Sequence, residues 1–127
     1  MSKFQVKADK EWARVIRQVG RCEMCGRRTT LNAHHIIHRT KFCYRHDLSN
    51  GICLCVSCHM YGSHSAHNDR TFFWNWLEKN RPGQWKWFLD HTVPYDKKVG
   101  NTIVHDRKPI NSKHRGDEVE YNELKEM

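Results

Sequence analysis

The stretch that decides the fold runs from Cys22-Glu23-Met24-Cys25 through Ala33-His34-His35-Ile36-Ile37 to Asp47-Leu48-Ser49-Asn50-Gly51-Ile52-Cys53-Leu54-Cys55, and closes on Cys58-His59. Its outer parts, Cys22/Cys25 and Cys55/Cys58, are two C-x2-C pairs, a spacing that lets both thiolates of a pair reach one tetrahedral ion at about 2.3 Å. Four such ligands make a closed structural site for Zn2+. Disulfides are rarely stable inside cells, so clustered cysteines in an intracellular chain are metal ligands more often than cross-links. Residues 26–54, between the pairs, outnumber the ~15–20 of a compact zinc ribbon, which implies that something is built inside the loop the metal closes. Cys43 and Cys53 are left over. Cys53 could in principle compete as a ligand, and both read more simply as small apolar residues.

Inside the loop, short apolar runs predict strands around residues 31–37 and 51–54, with a helix starting near Val56. Adjacent histidines on a regular strand point to opposite faces, so His34 and His35 can border one cleft only where the strand ends or is distorted.

Working outward, Trp12, Val15, Ile16 and Val19 recur at helical spacing after Asp9 and before Gly20, predicting an amphipathic helix over 10–19. Arg14, Arg17 and Arg21 beside that stripe are either solvated charges or phosphate contacts. Downstream, Asp69 can cap a helix whose Phe72, Phe73, Trp76 and Leu77 share a side, and Arg81-Pro82-Gly83 breaks the chain before 84–90. Aromatics at this spacing usually bury themselves, so they are assigned to the core rather than to base stacking. After Pro94 the periodicity fades. Residues 95–116 carry a net charge of +4 and read as an irregular basic segment, while 117–127 carry −4 and hold a short helix start at Asp117 and Glu120. The division expected is therefore a domain over 1–94 and a polar, charge-segregated, solvated tail over 95–127.

The 127 residues make one domain the default, and no run approaches the ~20 apolar residues that span a bilayer. The opening MSKFQVKADKEW lacks the apolar core of a secretory signal, so a soluble, cytoplasmic protein with no membrane partner is expected. A net charge of +8 and a pI near 9.4 favour a polyanionic partner such as nucleic acid.

The order of these parts, C-x2-C, His-His-Ile, Asn-Gly-Ile-Cys-Leu-Cys, then C-x2-C-His, resembles the HNH endonuclease family of the His-Me finger superfamily over residues 22–59. The resemblance implies an α+β fold: a small ββα-metal core, a hairpin and a helix around one divalent ion, with a four-cysteine zinc site and flanking helices. It implies an enzyme that hydrolyses DNA phosphodiester bonds, and the alternative is a non-catalytic zinc-dependent nucleic-acid-binding module. Position by position, His35 matches the general base and Asn50 the residue holding the base-bearing loop. His34 and His59 match metal ligands. A further ligand often lies four residues beyond that last His. Here it is Ser63, a poor ligand, so an open position filled by water is expected there, with His64 ahead of His67 as the nearby substitutes. The ion would be Mg2+, Mn2+ or another divalent metal. Arg39, Lys41 and Arg45 are candidate DNA contacts. Free-standing members of the family are often phage-encoded, which implies packaging or recombination proteins as partners; nothing in the residues fixes an oligomeric state.

Overall fold

In the computed structural model, which describes residues 2–127, the chain begins with helix α1, Lys3–Ile16, continued by a tight turn over Arg17–Val19. The helix starts well before residue 10 because Ser2 caps it, its side chain accepting from the Gln5 amide at 3.0 Å. Asp9 is consequently an interior residue. The buried face is Gln5, Ala8 and Trp12, while Val19 at the end of the predicted stripe is exposed. Gly20 does stop the segment, in the left-handed conformation at φ 73°.

Strands β1, Leu31–His35, and β2, Gly51–Cys55, pair antiparallel with Leu31 opposite Cys55 and His35 opposite Gly51. Every residue of β2 is buried, which suits its unbroken apolar run. After β2 comes a single π-helical turn, Ser57–Tyr61, in place of the longer helix expected from Val56. Then α2, Arg70–Asn80, and α3, Pro82–Asp90, follow where their caps and breaker predicted, with the Asp69 side chain accepting from the Phe72 amide. Phe73, Leu77 and Phe88 from these helices pack with Ile36, Ile52 and Leu54 in the core, whereas Phe72 stays exposed.

The segment read as irregular is a hairpin. Strands β3, Thr92–Val99, and β4, Thr102–Pro109, pair antiparallel along their full length, so the 94/95 division falls inside β3. The tail is anchored as well: α4, Asp117–Leu124, packs on α1 and buries Glu120 and Leu124. Among the described residues, no helix is long and apolar enough to cross a membrane.

Two devices position the loop between β1 and β2. Asn50, fully buried, accepts from the Ile37 amide and donates to the carbonyls of Ile37 and Tyr44. Gly51 permits α1 to lie close on β2, since a Cβ there would stand 2.4 Å from Ile16 Cδ1 and 2.7 Å from Trp12 Cζ2.

Candidate active site

The two cysteine pairs converge. The sulfurs of Cys22, Cys25, Cys55 and Cys58 lie within 4.8 Å of one another, with Cys25 and Cys55 at 3.6 Å. Thiolates bound at about 2.3 Å around a tetrahedral ion stand roughly 3.8 Å apart, so the spacing fits zinc. The amides of Cys25 and Cys58 point at the sulfurs of Cys22 and Cys55 at 3.5 Å, each pair folding around its own first sulfur. Cys53 is outside the cluster, with its amide donating to Glu23 at 2.8 Å.

A second cluster lines a cleft of about 880 Å³ between β1, the π turn, the start of α2 and the β3–β4 hairpin. His34 is on β1, one residue before its end, and His35 is the last residue. The termination there lets both border the cleft. Ring nitrogens of His34, His59 and His67 lie within 4.8 Å of one another, and those of His59 and His67 approach to 3.0 Å. The ranking of His64 above His67 is therefore corrected. The chain does turn back at Gly62, whose amide bonds Ser57 O, but Ala66 N and His67 N then bond the carbonyls of Cys58 and His59, seating His67 against His59. His64 instead points to solvent, bonded to Asp69 at 3.1 Å and stacked on Phe72. Ser63 is exposed.

These residues fit a divalent ion on their own chemistry. Nitrogens bound to a common metal at about 2.0–2.1 Å stand roughly 3 Å apart, as His59 and His67 do. Ligation needs neutral imidazole. Burial, with His59 and His67 beside it, holds His34 well below the usual histidine value, and burial plus His67 lowers His59 to about 4. The Nδ1 of His59 is buried with no hydrogen-bond partner among the described residues. Three imidazoles leave coordination positions open, in contrast to the closed thiolate site.

His35 stands beside the cluster with its orientation fixed from two sides. A ring nitrogen, Nε2, bonds the carbonyl of Arg45 at 2.9 Å; because a carbonyl only accepts, Nε2 carries the hydrogen and Nδ1 is left as an acceptor. Trp12 stacks on the imidazole at 3.9 Å and 10°, its own indole N–H donating to Asp47 O. Burial lowers His35 to about 4, so the ring is neutral at pH 7.

Of the expected DNA contacts, Arg39 is exposed on the cleft rim, and Lys41 lines it while donating to Asn111. Arg45 is corrected. Its guanidinium is buried and committed, donating to both oxygens of Asp9 at 2.8 and 2.7 Å and to Arg39 O, so it braces the loop. Arg14 likewise is held by Glu11 and the Leu124 carbonyl. Sequence reasoning missed Arg70 and Arg107, which line the same cleft. Arg70 opens α2 and pairs with Asp106 at 2.7 Å, and Arg107 bonds Thr92. Arg70 had a signal, because the residue after an Asp cap begins a helix. Arg107 had none without the hairpin, and neither did the stacking of Trp12 on His35.

The hairpin, the following turn, the histidine cluster and the four thiols together define a ββα-metal core with a zinc knuckle. Residues 22–62 match the family model described as HNH endonuclease, a nuclease family that uses a divalent metal. Searches of curated proteins and of solved structures returned no match.

Proposed function

We propose that the chain is a metal-dependent endonuclease that hydrolyses DNA phosphodiester bonds, with His35 as general base, Asn50 as the residue that holds its loop, and His34, His59 and His67 as ligands of the catalytic ion. One observation carries this reading: a neutral imidazole with its acceptor nitrogen free stands beside three convergent imidazoles in one cation-rimmed cleft. His35 takes a proton from water at Nδ1 while Arg45 O keeps Nε2 protonated and Trp12 keeps the ring in plane. The oxygen so released forms the new bond to phosphorus, the bond to one ester oxygen breaks, and that oxygen leaves with a proton from water. A bound divalent ion supplies positive charge against the pentacoordinate phosphate and the leaving oxygen. Arg39, Lys41, Arg70 and Arg107 offer cations along the cleft, which suits a polyanion. With imidazole ligands alone, Mn2+, Ni2+, Co2+ or Zn2+ suits the site better than Mg2+.

The test is cleavage of supercoiled plasmid by purified protein with Mn2+ or Mg2+, with and without EDTA, alongside His35→Ala. Nicked or linear product that needs both the metal and His35 supports an enzyme. Intact plasmid in every lane, with retained salt-dependent DNA binding, selects the non-catalytic binding module instead.

A further inference from the structure

The β3–β4 hairpin is rooted in the cleft, which Thr92, Arg107 and Pro109 line, but its outer half has no part in the chemistry above. Of the eight residues in each strand, only Thr92 in one and Asp106 in the other are buried, and no further strand pairs with either edge. From Thr92 to Val99 the ribbon takes seven steps of about 3.3 Å, a reach of roughly 23 Å from the cleft edge.

Side chains alternate between the two faces of the ribbon. The register sets Lys98 opposite Ile103 on one face, and Lys97 opposite Val104, with Val99 beyond it, on the other. Val99 and Ile103 are 55% and 64% exposed at the tip. Lysines therefore point to opposite sides of the ribbon, with an apolar end between them. The strands hold four cations, Lys97, Lys98, Arg107 and Lys108, against Asp96 and Asp106. Asp96 faces His105, and the buried Asp106 is answered by Arg70 and, at 3.6 Å, by Lys97. Lys98 and Lys108 have no acidic partner among the described residues.

We infer that the hairpin is a DNA-binding arm whose outer half enters the major groove of the duplex held in the cleft. At about 3.4 Å per base pair its reach covers roughly seven base pairs from the cleft edge. The major groove admits a two-stranded ribbon. Lys97 and Lys98, on opposite faces, reach the phosphates on either side of the groove, while Val99 and Ile103 meet its floor, where thymine methyl groups offer apolar contact. The rival occupant is a second copy of the chain adding a strand to an open edge. Pro94 in β3 has no amide to give such a strand, and lysines on the exposed ribbon oppose it. The inference rests on DNA as the ligand of the cleft, and not on its being cut.

The full chain with one equivalent of Zn2+ is titrated with a duplex three helical turns long at several salt concentrations. Lys97→Gln/Lys98→Gln is expected to lower the slope of log K against log salt by about 1–2, since each lost phosphate contact removes about 0.9. Lys3→Gln/Lys7→Gln, the same charge change on α1, should keep the parent slope. Val99→Ser/Ile103→Ser changes no charge and should weaken binding at least about fivefold at the parent slope. Hydroxyl-radical footprinting should show a protected patch beside that of the cleft, lost in both hairpin variants. Parent affinity in the tip variant, an equal slope loss in the α1 variant, or a parent footprint without the patch overturns the inference. A tip variant that shifts to a smaller species on gel filtration with DNA affinity unchanged also overturns it and assigns the tip to a second copy. If the patch is present but Mn2+ brings no cleavage, the endonuclease fails and the arm stands; a parent that binds no duplex overturns both.

Discussion

Removing the amide of Asn50 tests how much the base-bearing loop depends on one side chain. Asn50 is fully buried, and its three hydrogen bonds, at 2.6, 3.0 and 3.0 Å, use both Nδ2 hydrogens and Oδ1. Asn50→Ala would leave the Ile37 amide and two carbonyls without that partner, in residues only 4% exposed. Each buried polar group left unsatisfied costs about 1–3 kcal/mol, the amide nearer the full amount and the carbonyls less, so a loss of about 3 kcal/mol is expected. Asn50→Asp keeps an acceptor for Ile37 but sets a carboxylate against two carbonyls, and it should cost more than the alanine despite its closer shape. Urea unfolding of the zinc-saturated proteins measures both, as a lower midpoint at unchanged slope. Cleavage, measured where each variant is still folded, should fall more than tenfold, because the loop also carries the Arg45 carbonyl that orients His35. An alanine variant within about 0.5 kcal/mol of the parent, or an aspartate variant more stable than the alanine, would refute the reasoning.

Three further outcomes are expected. His59→Ala and His67→Ala should each raise the Mn2+ concentration for half-maximal cleavage at least tenfold, whereas His64→Ala should leave it within twofold; a metal titration in which His64 matters more than His67 would reverse the ligand assignment. Cys55→Ser removes a thiolate from a site whose binding energy is also folding energy, so zinc content and the cooperative melting transition should both be lost, as elemental analysis and calorimetry would show. Gly51→Ala sets a methyl against Trp12 and Ile16 at under 3 Å, which should cost about 1–3 kcal/mol in thermal unfolding and reduce cleavage further by displacing the indole stacked on His35.

The parts of the site that could be read from the chain are those fixed by short-range spacing. The C-x2-C pairs need only a local turn to bring sulfurs together, the Asp69 cap acts within one helical turn, and Gly20 stops α1 where its φ requires. The β3–β4 hairpin could not be read in that way. Val99 and Ile103 are exposed near its tip, so no apolar alternation marks its strands, and Asp106 on it is tied to Arg70, 36 residues away. Asp9 misled for a related reason. It resembles a helix cap in sequence, and its partners, Arg45 and His46, lie on another element. The choice between His64 and His67 turned on how the backbone after Gly62 returns to Cys58 and His59, a geometry that residue types alone do not specify.

The packing of α1 against α4 also sets the order in which the molecule can be completed. The zinc pairs and the β1–β2 hairpin join residues only a few tens of positions apart, whereas Ser2 meets Asp117 and His46 meets Glu120 across separations of 115 and 74 residues. Contacts this distant bear the largest loop-closure entropy and contribute nothing until both partners exist. During synthesis the metal-bound centre can therefore assemble first, while α1 waits on the ribosome with its eventual neighbour unmade. The loop that aims His35 gains its last contact, His46 to Glu120, only after residues 117–124 emerge, so the chain passes through a stage at which His35 already has Trp12 and the Arg45 carbonyl but the loop behind it is not yet tied to α4.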